Sequence, residues 1–165
     1  MTDSFARGMI LAAVLALTIG WTGAQSAAAA DASPFVARKV EGRFFDVLAS
    51  VKDVIIGRGI NIAHTLPASR MLNRTGPAFG MHQKVYLDAE TVEFCSARIS
   101  HMLAAANPRN ILLCPFTISV YVLSSDPAHV YVSYRKPVAE KNSEAAVAEV
   151  LKLLESIVEE ALSWS

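Results

Sequence analysis

The sequence has no excess of charge of either sign, because its 15 Lys and Arg residues are balanced by 15 Asp and Glu residues. Nucleic-acid binding depends mainly on Lys and Arg side chains that neutralise phosphates. Attachment to an anionic membrane surface likewise depends on clusters of basic residues. The balance therefore argues against both kinds of partner.

The short motifs that mark many active sites are also missing from the sequence. It contains no G-x-S-x-G nucleophile turn, no H-E-x-x-H zinc motif and no G-x-x-x-x-G-K-[ST] phosphate loop. Residues 57–59 read Gly-Arg-Gly, which is too short for a dinucleotide-binding fingerprint and follows a predicted helix where a strand is required. We therefore predict a protein that is not an enzyme, and we assign no catalytic residue.

No apolar run reaches the roughly twenty residues that a membrane-spanning helix needs. The N-terminal run at residues 9–19 follows Arg7, and three alanines at residues 28–30 precede Asp31. This layout is typical of a cleavable secretion signal, and the alternative is a membrane anchor. Cleavage after residue 30 leaves 135 of the 165 residues, a length that fits one domain. The alanine-rich signal favours a periplasmic or secreted bacterial protein with no membrane attachment after cleavage.

Apolar residues at helical spacing predict three helices in the remaining chain. The first covers residues 44–55, and the second begins near Asp88 or Thr91 and ends at Asn107. The third is a long C-terminal helix whose apolar stripe covers residues 147–162. Such a stripe either covers the sheet of its own chain or contacts a second subunit in part, and both alternatives remain open.

Alternating apolar and polar residues predict strands beside these helices. The clearest strand covers residues 111–123 and forms an antiparallel hairpin with a returning strand at 130–134, through a loop at 124–128. Shorter strands are predicted at residues 35–40, 60–66 and 84–87. Residues 68–83 are predicted to be a loop that contains at most one short helical turn, because glycines and a proline interrupt every pattern there.

Three short stretches carry a resemblance to a known family. Residues 94–100 read FCSARIS, residues 105–108 read AANP, and residues 113–116 read LCPF, followed by Val120-Tyr121. Together they resemble the domain-of-unknown-function family 302 (DUF302), over about residues 40–137. The resemblance implies a small α+β domain in which two helices pack on a largely antiparallel sheet, often as a dimer, and it implies no agreed reaction. Many relatives lack a signal or a long C-terminal helix, so this chain resembles an exported variant.

The two cysteines, Cys95 and Cys114, have eighteen residues between them, which is not the C-x-x-C spacing of redox and metal sites. Three hypotheses stay open for them. In an oxidising compartment they form a structural disulfide, which stabilises the fold by about 3 kcal/mol in the chain-entropy model. They could instead be buried, unreactive thiols. They could also be a reactive or ligand-binding pair, since a helix N-terminus lowers a thiol pKa.

The four histidines are isolated from one another in the sequence, at positions 64, 82, 101 and 129. Imidazole binds metals and haem iron, and Met81 or Met102 could supply a second axial ligand. Because a metal site needs several converging ligands, neither haem nor metal is indicated, and the cofactor stays unknown. A periplasmic redox, haem- or metal-binding protein that uses Cys95 and Cys114, or a histidine, is our alternative functional hypothesis.

Residues 68–84 form the longest stretch without a clear pattern, and long loops in compact domains are often functional. We predict that four side chains in and near this stretch form a cationic pocket for a small anion or carboxylate: His64, Arg70, Arg74 and His82. Lys84 adds a further positive charge. The alternative is a solvated basic loop.

These patterns predict an α+β fold with a largely antiparallel sheet covered by two helices, plus a long C-terminal amphipathic helix. We expect a signal at residues 1–30, a leader at 31–39, the α+β domain at 40–137 and the C-terminal helix at 138–165. The predicted function is that of an exported, non-enzymatic homodimer. It would bind a small molecule or a protein partner through the sheet face and residues 68–84.

Overall fold

A computed structural model describes residues 33–164, so the predicted signal at residues 1–30 lies outside the described part. The strands are β1 (Phe35–Glu41), β2 (Ile62–Leu66), β3 (Tyr86–Phe94), β4 (Phe116–Leu123) and β5 (Asp126–Arg135). The α-helices are α1 (Phe44–Gly57), α2 (Ala68–Thr75), α3 (Ala97–Ala106) and α4 (Glu144–Leu162). Two 3₁₀ helices, Gly76–Phe79 and Pro108–Leu113, follow α2 and α3.

The five strands form one antiparallel sheet in the order β1-β5-β4-β3-β2. Successive side chains of a strand point to opposite faces, and one face of this sheet carries the apolar core. On β4 the predicted apolar residues are buried on this face: Phe116, Ile118, Val120 and Val122. Phe94 of β3 lies opposite Phe116, and their rings meet edge to face at 6.0 Å. Such an aromatic pair adds about 1 kcal/mol beyond its buried area.

Helices α1, α3 and α4 cover the apolar face of the sheet. Helix α4 buries its stripe between Ala146 and Ala161 against α1 and α3 of its own chain, which is the first of the two alternatives for this helix. The predicted α+β fold with an antiparallel sheet and a long C-terminal helix is confirmed. In the described part, no helix combines the length and the hydrophobicity that a bilayer crossing requires.

The predicted second helix was wrong at its start. Residues 86–94 form the nine-residue strand β3, and α3 begins only at Ala97. The spacing of Val92, Cys95 and Ile99 suggested a helix, but Val92 is buried on the sheet because β3 pairs with β2 and β4 on its two sides. Pairing with two distant strands is a tertiary effect that overrides the short local pattern.

Four further segments differ from the sequence-based expectations. Residues 68–79, expected to be a loop, form α2 and a 3₁₀ helix. Residues 111–113, expected to begin the strand, belong instead to the 3₁₀ helix Pro108–Leu113. The β4–β5 hairpin turns through two residues, Ser124 and Ser125, because Leu123 already pairs with Asp126. Strand β1 begins at Phe35, within the segment assigned to a leader, and pairs with β5 along its whole length.

The second face of the sheet lacks the helical layer that covers the first. Only α2 lies against it, through contacts with β3. The strands present hydroxyl and aromatic side chains on this open face, including Thr91, Ser119, Tyr121, Tyr131 and Ser133, all of them partly exposed. An antiparallel sheet commonly leaves one face to solvent, and in this protein that face and α2 together form the candidate site.

Candidate ligand-binding site

The segment between β2 and β3 exposes large apolar side chains. Neither α2 nor the 3₁₀ helix that follows it contains a buried residue. Of the 14 large apolar residues that are exposed in the described part, five lie in this segment: Met71, Leu72, Phe79, Met81 and Val85. Contiguous apolar surface of this kind marks sites of interaction.

These side chains surround a cavity of about 520 Å³, which we call the loop cavity. Its lining consists of Met71, Leu72, Asn73, Thr75, Gly76, Pro77, Phe79, Met81, His82, Gln83, Lys84, Val85 and Tyr86. The volume falls in the usual range for small-molecule sites, roughly 300–1,000 Å³. Because large apolar side chains make up much of the wall, the transfer of an apolar group from water into the cavity is favourable.

The loop around this cavity closes between Gly76 and Met81. The Met81 backbone N–H donates to the Gly76 carbonyl oxygen at 3.0 Å, and Gly80 has the left-handed φ of 73° that lets the chain turn back. A Cβ atom on residue 76 would lie only 2.6 Å from the Met81 carbonyl oxygen. Glycine at position 76 therefore lets the 3₁₀ helix lie directly against the loop that carries His82 and Lys84.

A second cavity of about 320 Å³ lies beneath α2 on the open face of the sheet, and we call it the sheet-face cavity. Leu72 and Tyr86 belong to the walls of both cavities, so the two adjoin. The floor of the sheet-face cavity carries hydroxyl groups, and the hydroxyls of Thr91 and Ser119 form a hydrogen bond of 2.8 Å. The combined site thus has an apolar compartment and a more polar one.

Three tyrosines form a row across β3, β4 and β5 beside the sheet-face cavity. The rings of Tyr121 and Tyr131 stack with centroids 5.3 Å apart, and Tyr86 meets Tyr121 edge to face at 5.6 Å. Tyr86 and Tyr121 line the cavity, while Tyr131 supports Tyr121 from the far side. The row gives the cavity a rigid aromatic wall, because each ring is held by its neighbour.

Asp126 holds the outer end of this row in place. Its carboxylate accepts hydrogen bonds from the Tyr131 hydroxyl at 2.5 Å and from His129 Nδ1 at 2.6 Å, and it forms an ion pair with Lys39 at 3.0 Å. These donors, Tyr131 first, hold the pKa of Asp126 well below its usual value. The bond to Asp126 also raises the pKa of Tyr131 and of Lys39. The network therefore fixes the position of the Tyr131 ring.

The structure separates the four residues of the predicted cationic pocket. His82 lines the loop cavity, whereas Arg70 and Arg74 are exposed on α2 and do not belong to its lining. His64 lies on β2 opposite Glu93 and is also outside the lining. A cationic pocket at residues 68–84 stays a prediction. The wall of the loop cavity is mostly apolar, and its basic residues are His82 and Lys84.

Local patterns in the sequence did not reveal the apolar lining or the tyrosine row. Phe79, Met81 and Val85 stand out as large apolar residues within a stretch predicted to be an exposed loop, and this contrast was the available signal. Tyr121 and Tyr131 become neighbours only through the hairpin register, which depends on a two-residue turn rather than on the longer loop that was expected.

The cysteines form a disulfide, the first of the three hypotheses for them, which links Cys95 after β3 to Cys114 before β4. Both lie away from the two cavities, and neither is a free thiol. Across residues 33–164, no three His, Cys, Asp or Glu side chains converge in a way that could hold a metal ion. The alternative hypothesis of a redox, haem- or metal-binding protein stays a prediction without support from a site.

Comparison with known proteins places the chain in a family. The family model described as domain of unknown function DUF302 matches residues 36–161. The crystal structure of an uncharacterized conserved DUF302 protein from Bacillus stearothermophilus is similar in fold, with a TM-score of 0.65 and 12% sequence identity over 79% of this chain and 99% of that chain. No curated protein matches the sequence. Because the family model covers well over half of the chain, the protein belongs to the DUF302 family.

Proposed function

We propose that this protein binds a small, predominantly apolar molecule in the loop cavity, and that it does so outside the cytoplasm. The observation that carries the proposal is the loop cavity itself, with a volume of about 520 Å³ and a largely apolar wall. A cavity with such a wall and a few polar groups is the usual form of a small-molecule site. Among residues 33–164 there is no cluster of side chains that could hold a metal ion.

The exposure of the lining favours ligand binding over a purely structural role. Phe79 and Met81 are 75% and 70% exposed, although burial of side chains of this size normally stabilises a fold by about 2 kcal/mol each. The fold does not use these side chains for its core, since they are absent from the buried cluster. A ligand that covers Phe79 and Met81 removes their apolar surface from water, and this burial stabilises the complex.

Two observations support an extracytoplasmic location. The N-terminal apolar run followed by small residues is typical of a secretion signal. The disulfide between Cys95 and Cys114 fits an oxidising compartment, because reducing compartments keep such pairs as thiols. Export of the full chain, followed by N-terminal sequencing, tests this part, and a mature protein that begins near residue 31 is expected.

A neutral fluorescent probe tests binding independently of charge. N-phenyl-1-naphthylamine gains fluorescence in apolar surroundings, so we expect saturable binding at one site per chain. Leu72 lines both cavities and is 43% exposed, so Leu72→Glu places a carboxylate in the site without disturbing the core. This variant should lose most of the probe binding, because an unpaired charge in an apolar site is costly.

The matched control is Leu112→Glu. Leu112 is 86% exposed and lies in the second 3₁₀ helix, beside a different groove near Pro115 and Arg135. Unchanged probe binding in this variant would locate the site at the loop cavity. Equal loss in both variants, or no saturable binding in the wild type, would contradict the proposal.

A further inference from the structure

We infer that the ligand of the loop cavity is an anionic amphiphile, with its apolar body in the cavity and a carboxylate beside Lys84. This inference rests on the proposed function and adds the chemical class of the ligand. Lys84 is the one lining residue that carries a full charge, and His82 lies two positions before it. An apolar wall with a cation in it matches a molecule that has one apolar part and one anionic group.

The distribution of charge along the chain supports an anion. No Asp or Glu occurs between Asp53 and Asp88, although the whole chain contains 15 acidic residues. The segment that builds the cavity therefore contributes Arg70, Arg74 and Lys84 with no acidic residue to balance them. The balanced net charge of the whole chain conceals this local excess of positive charge.

The acidic residues that follow on β3 do not neutralise the site. Glu90 points to the helix-covered face, where its carboxylate binds Lys52 of α1 at 2.7 Å. Asp88 pairs with Val122 and shares that face, because side chains two positions apart on a strand point the same way. Glu93 lies on the open face but at the far end of β3, opposite His64.

The cations around the cavity also form no ion pair with the described part of the chain. The ion pairs found within residues 33–164 involve Lys39, Arg43, Lys52, Arg58, Arg98 and His129, and none involves Arg70, Arg74 or Lys84. Unpaired charges of one sign around an apolar concavity concentrate the field at its mouth and attract ligands of the opposite sign. The geometry thus selects against a cationic amphiphile and in favour of an anionic one.

The test compares decanoate, decanol and decyltrimethylammonium as competitors of bound N-phenyl-1-naphthylamine at low ionic strength. All three share a ten-carbon chain, so differences report the head group. We expect decanoate to displace the probe at roughly fivefold to tenfold lower concentration than decanol, as for one exposed charge-assisted contact. The trimethylammonium compound should be the weakest competitor. Octanoate lacks two of the methylenes of decanoate. The concentration needed to displace the probe should rise about fourfold for each methylene removed, because each methylene is buried in the cavity.

Substitutions at Lys84 assign the effect to one side chain. Lys84→Met should bring decanoate to the level of decanol, and Lys84→Arg should retain the preference. Lys152→Met removes the same charge from an exposed position on α4, on the other side of the sheet, and should change nothing. Replacement of both Arg70 and Arg74 by alanine should weaken decanoate binding only slightly, and only at low salt, because neither side chain lines the cavity.

The outcomes separate the inference from the proposed function. If decanoate and decanol compete equally and Lys84→Met has no effect, the ligand is not recognised as an anion, whereas the apolar site remains. If neither the probe nor any of the three compounds binds, the proposed function fails and the inference fails with it. Equal loss of the decanoate preference in Lys84→Met and Lys152→Met would mean that net charge alone acts, and it would also overturn the inference.

Discussion

Removal of the disulfide should lower the free energy of unfolding by an amount set by the length of the loop that the bridge closes. The bridge joins Cys95 to Cys114 at a sequence separation of 19, and the loop between them contains α3 and the second 3₁₀ helix. In the chain-entropy model a loop of this length contributes about 3 kcal/mol, because the crosslink restricts the unfolded chain. The double variant Cys95→Ser, Cys114→Ser should therefore unfold about 3 kcal/mol more easily.

The folded state should be little disturbed by the same change. Phe94 and Phe116, which flank the bridge, are held opposite each other by the β3–β4 pairing, so both ends of the loop stay in place without the bond. Ser100 Oγ lies 3.7 Å from Cys114 Sγ, close enough for a serine hydroxyl at position 114 to retain a polar contact. The expected loss consequently arises mainly from the unfolded state.

The assay is urea and thermal unfolding of three samples: the oxidised protein, the oxidised protein after reduction, and the double variant. A midpoint roughly 10 °C lower is expected for the last two, which should agree with each other. Non-reducing mass analysis should show the purified protein two hydrogens lighter than the fully reduced chain. Equal stability of the oxidised protein and the double variant, or two titratable thiols per chain in the unreduced protein, would refute the reasoning.

Substitutions at three more positions test the core, the polar network and the loop. Ile118 has no exposed surface, so Ile118→Ala should lower the free energy of unfolding in urea by about 2–5 kcal/mol and Ile118→Val by about 1 kcal/mol. A loss below about 1 kcal/mol for the alanine variant would mean that β4 is not central to the core. Tyr131 and the other donors lower the pKa of Asp126 in the folded protein. The ionised carboxylate therefore stabilises the fold at pH values above the ordinary aspartate pKa of about 3.9. This contribution is lost as the pH falls from that value towards the lowered pKa of the folded state. Asp126→Asn should therefore be less stable than wild type at neutral pH and converge with it in acid, and a constant difference at all pH values would contradict the network. Gly76→Ala should weaken the binding of N-phenyl-1-naphthylamine, because a Cβ there meets the Met81 carbonyl oxygen at 2.6 Å and forces the loop backbone to shift; unchanged binding would show that this close approach does not shape the cavity.

The homodimer expected from the sequence stays a prediction, but the apolar stripe of α4 gives it little support. Most of the apolar stripe of α4 is buried against α1 and α3, with Leu151 and Leu162 partly exposed, so little of the stripe is left for a second subunit. Native mass measurement of the oxidised protein answers the question directly.

Long, strongly periodic segments could be predicted from the sequence by itself. Helices α1 and α4 and the apolar face of β4 were predicted correctly, because their amphipathic patterns repeat over enough residues to be unambiguous. The disulfide followed from the cysteine count and the expected compartment, as one of three alternatives. The functional importance of residues 68–84 was inferred from their lack of pattern, but the chemistry expected there was ionic rather than apolar.

Only the tertiary structure decided the assignments that depend on distant partners. Strand β3 exists because β2 and β4 pair with it on both sides, and its nine residues contain too few apolar positions to distinguish a strand from a helix locally. Helix α2 buries none of its residues, so its sequence carries no core stripe, and it lies on the open face of the sheet through contacts with β3. The loop cavity arises where that helix, a 3₁₀ helix and the start of β3 meet. These elements follow one another in the chain, but the contacts between them repeat with neither the helical nor the strand period, so none of them carries a periodic signal of the cavity.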